Sequence, residues 1–214
     1  VRHTVLDVLR VAKVINKASC DKGHIIREAS LIKNLKHPHI PVIYDIYEDD
    51  ISICIIEEYI SGKSLRDFVC ESGKLDINQI CDIGIKLCNI LEYLHNYCGG
   101  IIHLDIKPDN ILVDSNGNIK LIDYDAARIY IKGKEQDTVL LGTAGYAAPE
   151  QYGIVQSDIR TDIYSLGVLI NVMLTGEHPS KKMCTGRYRK IVEKCTRINP
   201  DDRYYNISEL RKHL

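Results

Sequence analysis

Between His103 and Asn110 the chain runs His-Leu-Asp-Ile-Lys-Pro-Asp-Asn, so one short stretch holds a carboxylate, an ammonium and a carboxamide. Asp105 can accept a hydroxyl proton, Asn110 can ligate a metal, and Lys107 between them can neutralise a phosphate. That set suits moving a phosphoryl group from a nucleotide to an alcohol, where positioning and charge neutralisation do most of the work. Asp, Lys and Asn also favour solvated turns, so the choice rests on what the rest of the chain supplies.

The elements that would position this stretch follow from periodicity. Thr4 to Ile15 is β-branched and alternating, with a turn near Asp7, and predicts strand. Asp21 to Leu35 carries apolar residues at helical spacing and stops at His37-Pro38. Val42 to Tyr47 and Ile51 to Ile56 read as two strands of a hairpin around Glu48-Asp49-Asp50, and Ser61-Gly62 breaks the pattern. Asp76-Ile-Asn-Gln79 resembles a capping box and opens a helix with Ile80, Ile83, Leu87, Ile90, Leu91 and Leu94 on one face, ending near Gly99-Gly100. Short strands at Ile111 to Val113 and Ile119 to Ile122 flank an Asn116-Gly117 turn. Thr161-Asp162 starts an almost wholly apolar, hence buried, helix through Leu174 that Gly176 stops. Arg187 to Thr196 is another helix, and Asn206-Ile-Ser-Glu209 predicts a second capping box at the start of the last one.

Composition narrows the function classes. The 214 residues are 45% hydrophobic and 27% charged, enough for one large domain or two small lobes around a cleft. A formal charge of −1 gives no electrostatic case for nucleic acid or an anionic membrane as partner. No apolar run approaches the roughly 20 residues of a membrane span, and no signal peptide is expected. The eight cysteines form no Cys-x-x-Cys pair and are expected to be buried thiols of a reducing, cytoplasmic chain, or of the intracellular domain of a longer protein. His37-Pro38-His39 lacks further ligands at metal spacing and predicts a turn.

Several ordered motifs carry a resemblance: Val11-Ala12-Lys13, Glu28, His103 to Asn110, Asp123-Tyr124-Asp125, Gly142 to Glu150, Asp162 to Gly167, and Arg203. Together they resemble a bacterial protein Ser/Thr kinase of the eukaryotic-like (Hanks) type, over nearly the whole chain. The resemblance implies an α+β, two-lobed fold: a small β-rich N-lobe with one helix over residues 1–60 and a mainly helical C-lobe over 61–214. It implies ATP-dependent phosphorylation of protein substrates on Ser or Thr, with Mg²⁺ or alternatively Mn²⁺. Asp105 would be the catalytic base, Lys107 would contact the transferring phosphate, and Asn110 and Asp123 would hold the metal. Lys13, paired with Glu28, would fix the α- and β-phosphates; Lys17 is the competing lysine. Val11 and Leu112 would form the roof and floor of the adenine site, beside a Glu58-Tyr59 hinge, with Glu57 at the gatekeeper position. Thr143 would favour Ser/Thr acceptors within an activation segment spanning Asp123 to Glu150. Glu150 and Arg203 would form its buried anchor, and His103 and Asp162 would support the catalytic loop; a helix N-cap is the plainer role for Asp162.

Departures from the family pattern sharpen these expectations. Asp125 stands where the family has Gly, and Tyr124 where it has Phe. Leu104 replaces the Arg that reads a phosphorylated activation segment, so phosphorylation of Thr138 or Thr143 is not expected to gate activity. The family's Gly-rich loop is missing ahead of Lys13, as though the chain began inside the fold, and the region after Gly176 is short. The alternative function is a pseudokinase that binds nucleotide or acts as a scaffold.

Overall fold

Alternation in the first part of the chain produces an antiparallel sheet. The computed structural model describes residues 1–18, 31–73, 75–130, 142–153 and 156–214. Strand β1 (Arg10–Asn16) and β2 (Ile43–Glu48) both pair with β3 (Ser52–Glu58), in the order β1-β3-β2, with Lys13 opposite Ile55 and Val11 opposite Glu57. Ile53 and Ile55, two apart on β3, are each 1% exposed, which marks the covered face of the sheet. Asp49 closes the β2–β3 hairpin by accepting hydrogen bonds from the Ile51 and Ser52 amides at 2.8 and 2.6 Å. The turn expected near Asp7 is present: Arg2 bridges Leu9, and Asp7 has φ 51°. The helix expected over Asp21 to Leu35 lies mostly outside the described residues, which show it as helical at 31–33.

From Gly62 onward helices dominate. A short strand β4 (Gly62–Ser64) leads into α1 (Leu65–Ser72), followed by α2 (Ile77–Asn96). Asp76 and Gln79 form the reciprocal capping box that the sequence predicts. The six apolar residues named for α2 are all buried, and the helix ends at Asn96, three residues before Gly99. Strands β5 (Ile101–Ile102) and β8 (Arg128–Ile129) pair with each other; β6 (Ile111–Asp114) lies between β4 and β7 (Ile119–Leu121). The buried helix is α3 (Ile159–Thr175), closed by Gly176 in the left-handed conformation. It begins earlier than expected: Asp158 is its N-cap, and Asp162 lies inside the first turn with its side chain free for another task. Helix α4 (Arg187–Cys195) packs so closely on α3 that a Cβ at Gly167 would lie 2.3 Å from Cys195 Cβ.

The chain after Gly176 forms no helix before Arg187, and the buried Asn171 holds it. Its amide donates to the Glu177 and Lys182 carbonyls and accepts from the Cys184 amide, each at 2.8 Å. Helix α5 (Ile207–Arg211) ends the fold. Its capping box is only half formed: Asn206 accepts from the Glu209 amide, but Glu209 accepts from Tyr205 rather than from Asn206. The expectation of buried thiols also needs correcting. Cys88, Cys184 and Cys195 are buried, whereas Cys70 and Cys98 are exposed because they lie on helix and loop surfaces outside the apolar stripes; all described cysteines are free. No helix among the described residues is long and apolar enough to cross a membrane.

Candidate active site

The loop from His103 to Asn110 is set between buried strands. Ile101 and Ile102 bring the chain through the core, and a 3-10 turn at Pro108–Asn110 returns it into β6. Asp162, wholly buried in α3, accepts from the His103 amide at 3.0 Å, the Leu104 amide at 2.8 Å and His95 Nε2 at 2.9 Å. Burial alone would raise the Asp162 carboxyl, but the hydrogen bonds from His95 and from the His103 amide outweigh it and hold it low. Its grip explains why Leu104 tolerates φ 67°, a left-handed conformation that costs a non-glycine residue roughly 1–2 kcal/mol. His103 is fully buried, its ring edge-on to Tyr124 at 4.8 Å, and burial lowers its pKa so that it stays neutral.

Four side chains converge beyond that turn. Thr143 donates its hydroxyl to Asp105 Oδ1 at 2.7 Å. Lys107 Nζ donates to Asp105 Oδ2 at 2.7 Å and to Thr143 Oγ1 at 2.8 Å. Asn110 Nδ2 donates to Asp105 Oδ2 at 2.9 Å and to its carbonyl at 3.0 Å. Burial would raise the Asp105 carboxyl, yet the bonds from Lys107, Thr143 and Asn110 prevail and hold it below the usual carboxylate value. At neutral pH Asp105 is therefore an ionised acceptor.

Asp123 is delivered next to this group by the Ile122 amide, which donates to the Asn110 carbonyl at 2.8 Å, and by its own left-handed φ of 64°. It opens onto a cavity of about 480 Å³, a size that suits a small organic ligand. Val11, Ile43, Leu112 and Ile122 give this cavity apolar walls, and Lys13, Glu57, Asp123 and Asp125 give it one polar end. Asp123 is reached by solvent through the cleft but is walled by protein elsewhere. That partial desolvation, then the Asp125 carboxylate, raises its pKa, with Lys13 opposing. Burial also raises Glu57, with Lys13 again opposing and Asp125 and Asp123 adding to the rise.

Of the two candidate lysines, Lys13 faces the cavity and contacts Asp125, while Lys17 pairs with Glu48 at 2.8 Å near the hairpin. Glu58 borders the cavity, but its carboxylate turns to Lys120 at 2.5 Å and the Val42 amide at 3.2 Å, and its own amide donates to the Val42 carbonyl at 2.9 Å. Glu28 and Thr138 lie outside the described residues.

At the far end of the site Glu150 and Arg203 form a two-fold ion pair at 2.7 and 2.8 Å, with side chains 2% and 0% exposed. One residue that the sequence did not single out joins this end to the loop: Gln151, buried, donates to the Leu104 carbonyl at 2.9 Å. Its partner is 47 positions away, so no local pattern points to it. His95 likewise sits in the last turn of an amphipathic helix, where its sequence position gives no sign of its distant partner Asp162.

Comparison with known proteins shows the family. Residues 3–214 match the family model described as the protein kinase domain. The chain belongs to the protein kinase domain family. It is 39% identical over 159 residues to a probable serine/threonine-protein kinase of Clostridium perfringens, covering 72% of this chain and 22% of that protein. It is 31% identical over 216 residues to a probable serine/threonine-protein kinase of Clostridium acetobutylicum, covering 88% of this chain and 32% of that protein. To the serine/threonine-protein kinase PknB of Mycobacterium leprae it is 36% identical over 159 residues, covering 72% and 25%. The chain thus spans between about a fifth and a third of the length of these relatives. The α+β, sheet-then-helix architecture of the kinase fold accounts for the order of elements described above.

Proposed function

We propose that this kinase domain transfers the γ-phosphoryl group of ATP to serine or threonine hydroxyls of protein substrates. The observation that carries this is the Thr143 hydroxyl donating to Asp105 at 2.7 Å with Lys107 bridging both. An ionised carboxylate already accepting from an alcohol can orient an incoming alcohol and take its proton as the O–P bond forms. Lys107 lies where charge develops on the transferring group.

Lys13, with Glu28 as its expected partner, binds the α- and β-phosphates; Val11 and Leu112 enclose the base beside Glu58. Glu150 and Arg203 anchor the segment that carries Thr143, while His103 and Asp162 hold the loop. Both described hydrogen bonds from Asn110 Nδ2 go to Asp105, so its Oδ1 is the atom left for a cation, together with the Asp123 carboxylate. Hard oxygen donors in so small a number fit Mg²⁺ or Mn²⁺ completed by phosphate and water. Bound there, the cation would neutralise phosphate oxygens during transfer. The free cysteines suit a reducing, cytoplasmic setting.

A pseudokinase is the rival, favoured by the Asp125 carboxylate that engages Lys13. Transfer of labelled phosphate from ATP to a generic protein acceptor, in Mg²⁺, separates the two. Asp105→Asn is expected to remove transfer while nucleotide binding survives; equal rates for both proteins would end the catalytic proposal.

A further inference from the structure

Asp105 inherits its direction from Leu104, whose left-handed backbone is gripped at both ends. The Leu104 amide donates to Asp162 at 2.8 Å, and the Leu104 carbonyl accepts from Gln151 Nε2 at 2.9 Å. Gln151 Oε1 in turn accepts from the Ala148 amide at 2.8 Å, so a single carboxamide spans the catalytic loop and the segment from 142 to 151. The side chain is nearly sealed from solvent, at 3% exposure. It belongs to the 3-10 turn Pro149–Tyr152, whose Glu150 is pinned by Arg203. Gly142 leaves the room this bridge occupies: a Cβ there would lie 2.5 Å from Gln151 Nε2 and 3.2 Å from the Leu104 carbonyl oxygen.

We propose that Gln151 is a positioning residue for phosphoryl transfer, its uncharged amide fixing Leu104 and so aiming Asp105 with no phosphate involved. This rests on Asp105 being the base. Leu104 has no charge with which to read a phosphorylated segment, and the two parts that such a charge would join are already joined through Gln151. A neutral bridge of this kind neither depends on a modification nor weakens with salt, so the segment end stays docked as long as the fold persists. Gln151 does not reach the reacting atoms. The bond that reaches the catalytic loop is the one to the Leu104 carbonyl.

Two variants test this in the intact protein. Gln151→Met keeps the volume and removes the hydrogen bonds to the Leu104 carbonyl and from the Ala148 amide. It is expected to lower kcat roughly 10–100-fold, the rate equivalent of one buried hydrogen bond left unmade, while KM for ATP changes less than about twofold. Gln151→Glu keeps the shape and the bond from Ala148, but its carboxylate cannot donate to Leu104 until it is protonated. Its kcat relative to that of the parent protein is therefore expected to rise as pH is lowered, which a purely structural role would not produce. An unchanged kcat in folded Gln151→Met overturns the inference. If that variant does not fold, a flat Gln151→Glu to parent ratio across pH overturns it and an acid rise supports it. Parent rates equal to those of Asp105→Asn would remove the catalytic proposal together with this one; a dead Asp105→Asn beside a fully active Gln151→Met would remove this one alone.

Discussion

Replacing Glu150 by Gln should be among the most destabilising single changes in this chain, and the reason can be counted in hydrogen bonds. Arg203 has five N–H donors, and each has an acceptor. Nε donates to the Arg197 carbonyl, Nη1 to Glu150 and the Arg160 carbonyl, and Nη2 to Glu150 and the Ile198 carbonyl. Glu150 also accepts the Thr161 hydroxyl at 2.8 Å. With both side chains essentially unexposed, water cannot replace the lost partner. Removing one member of such a pair leaves a buried, uncompensated charge, at a cost of about 3–5 kcal/mol. Since a domain has about 5–15 kcal/mol in all, this is about a fifth or more of its stability. At this chain length it corresponds to roughly 10 °C in the unfolding midpoint. Equilibrium urea unfolding measures it directly, with the exposed Arg189–Glu193 pair as control: Glu193→Ala should cost no more than about 1 kcal/mol. A loss below about 1 kcal/mol for Glu150→Gln, matching the surface control, would refute the reasoning.

Two further outcomes follow from the site. His103 is kept neutral by burial, so its folded pKa lies below the ordinary value near 6.5; the unfolded chain takes up a proton that the folded chain refuses, and stability falls as pH drops from about 6.5 toward the folded value. Urea midpoints at pH 7.5 and 5.5 should therefore differ less in His103→Asn than in the parent, with His37, lowered by partial burial and by His39 and Lys120, retaining its own share of the loss; an unchanged difference argues against a neutral His103. Asp125→Gly should remove a carboxylate that competes with phosphate for Lys13 and lower KM for ATP about 2–5-fold, the equivalent of a partly exposed ion pair worth about 0.5–1 kcal/mol. Initial rates against ATP concentration decide this, and a higher KM would show that Asp125 assists nucleotide binding instead.

Much of the architecture was legible because it is local. The apolar stripe of α2, the Asp76 capping box, the Asp49 hairpin and the Gly176 stop each depend on residues a few positions apart, where propensity and periodicity operate. The spacing within His103 to Asn110 likewise places Asp105, Lys107 and Asn110 in one loop. Boundaries were less secure: α3 starts at Ile159 because Asp158 caps it, and Glu209 caps Tyr205 rather than Asn206, choices made by one side-chain rotamer each.

Element types, family resemblance and the chemical groups of the central loop are therefore readable from local sequence. Tertiary structure alone decided which groups meet. Thr143 reaches Asp105 across 38 positions, Asp162 reaches the Leu104 amide across 58, and Gln151 reaches the Leu104 carbonyl across 47. It also turned Lys13 toward Asp125 and the cavity, and exposed Cys70 and Cys98. The physical reason is range. Backbone preferences act within a turn or two of chain, whereas a buried polar group takes whichever partner the packed fold brings within about 3 Å.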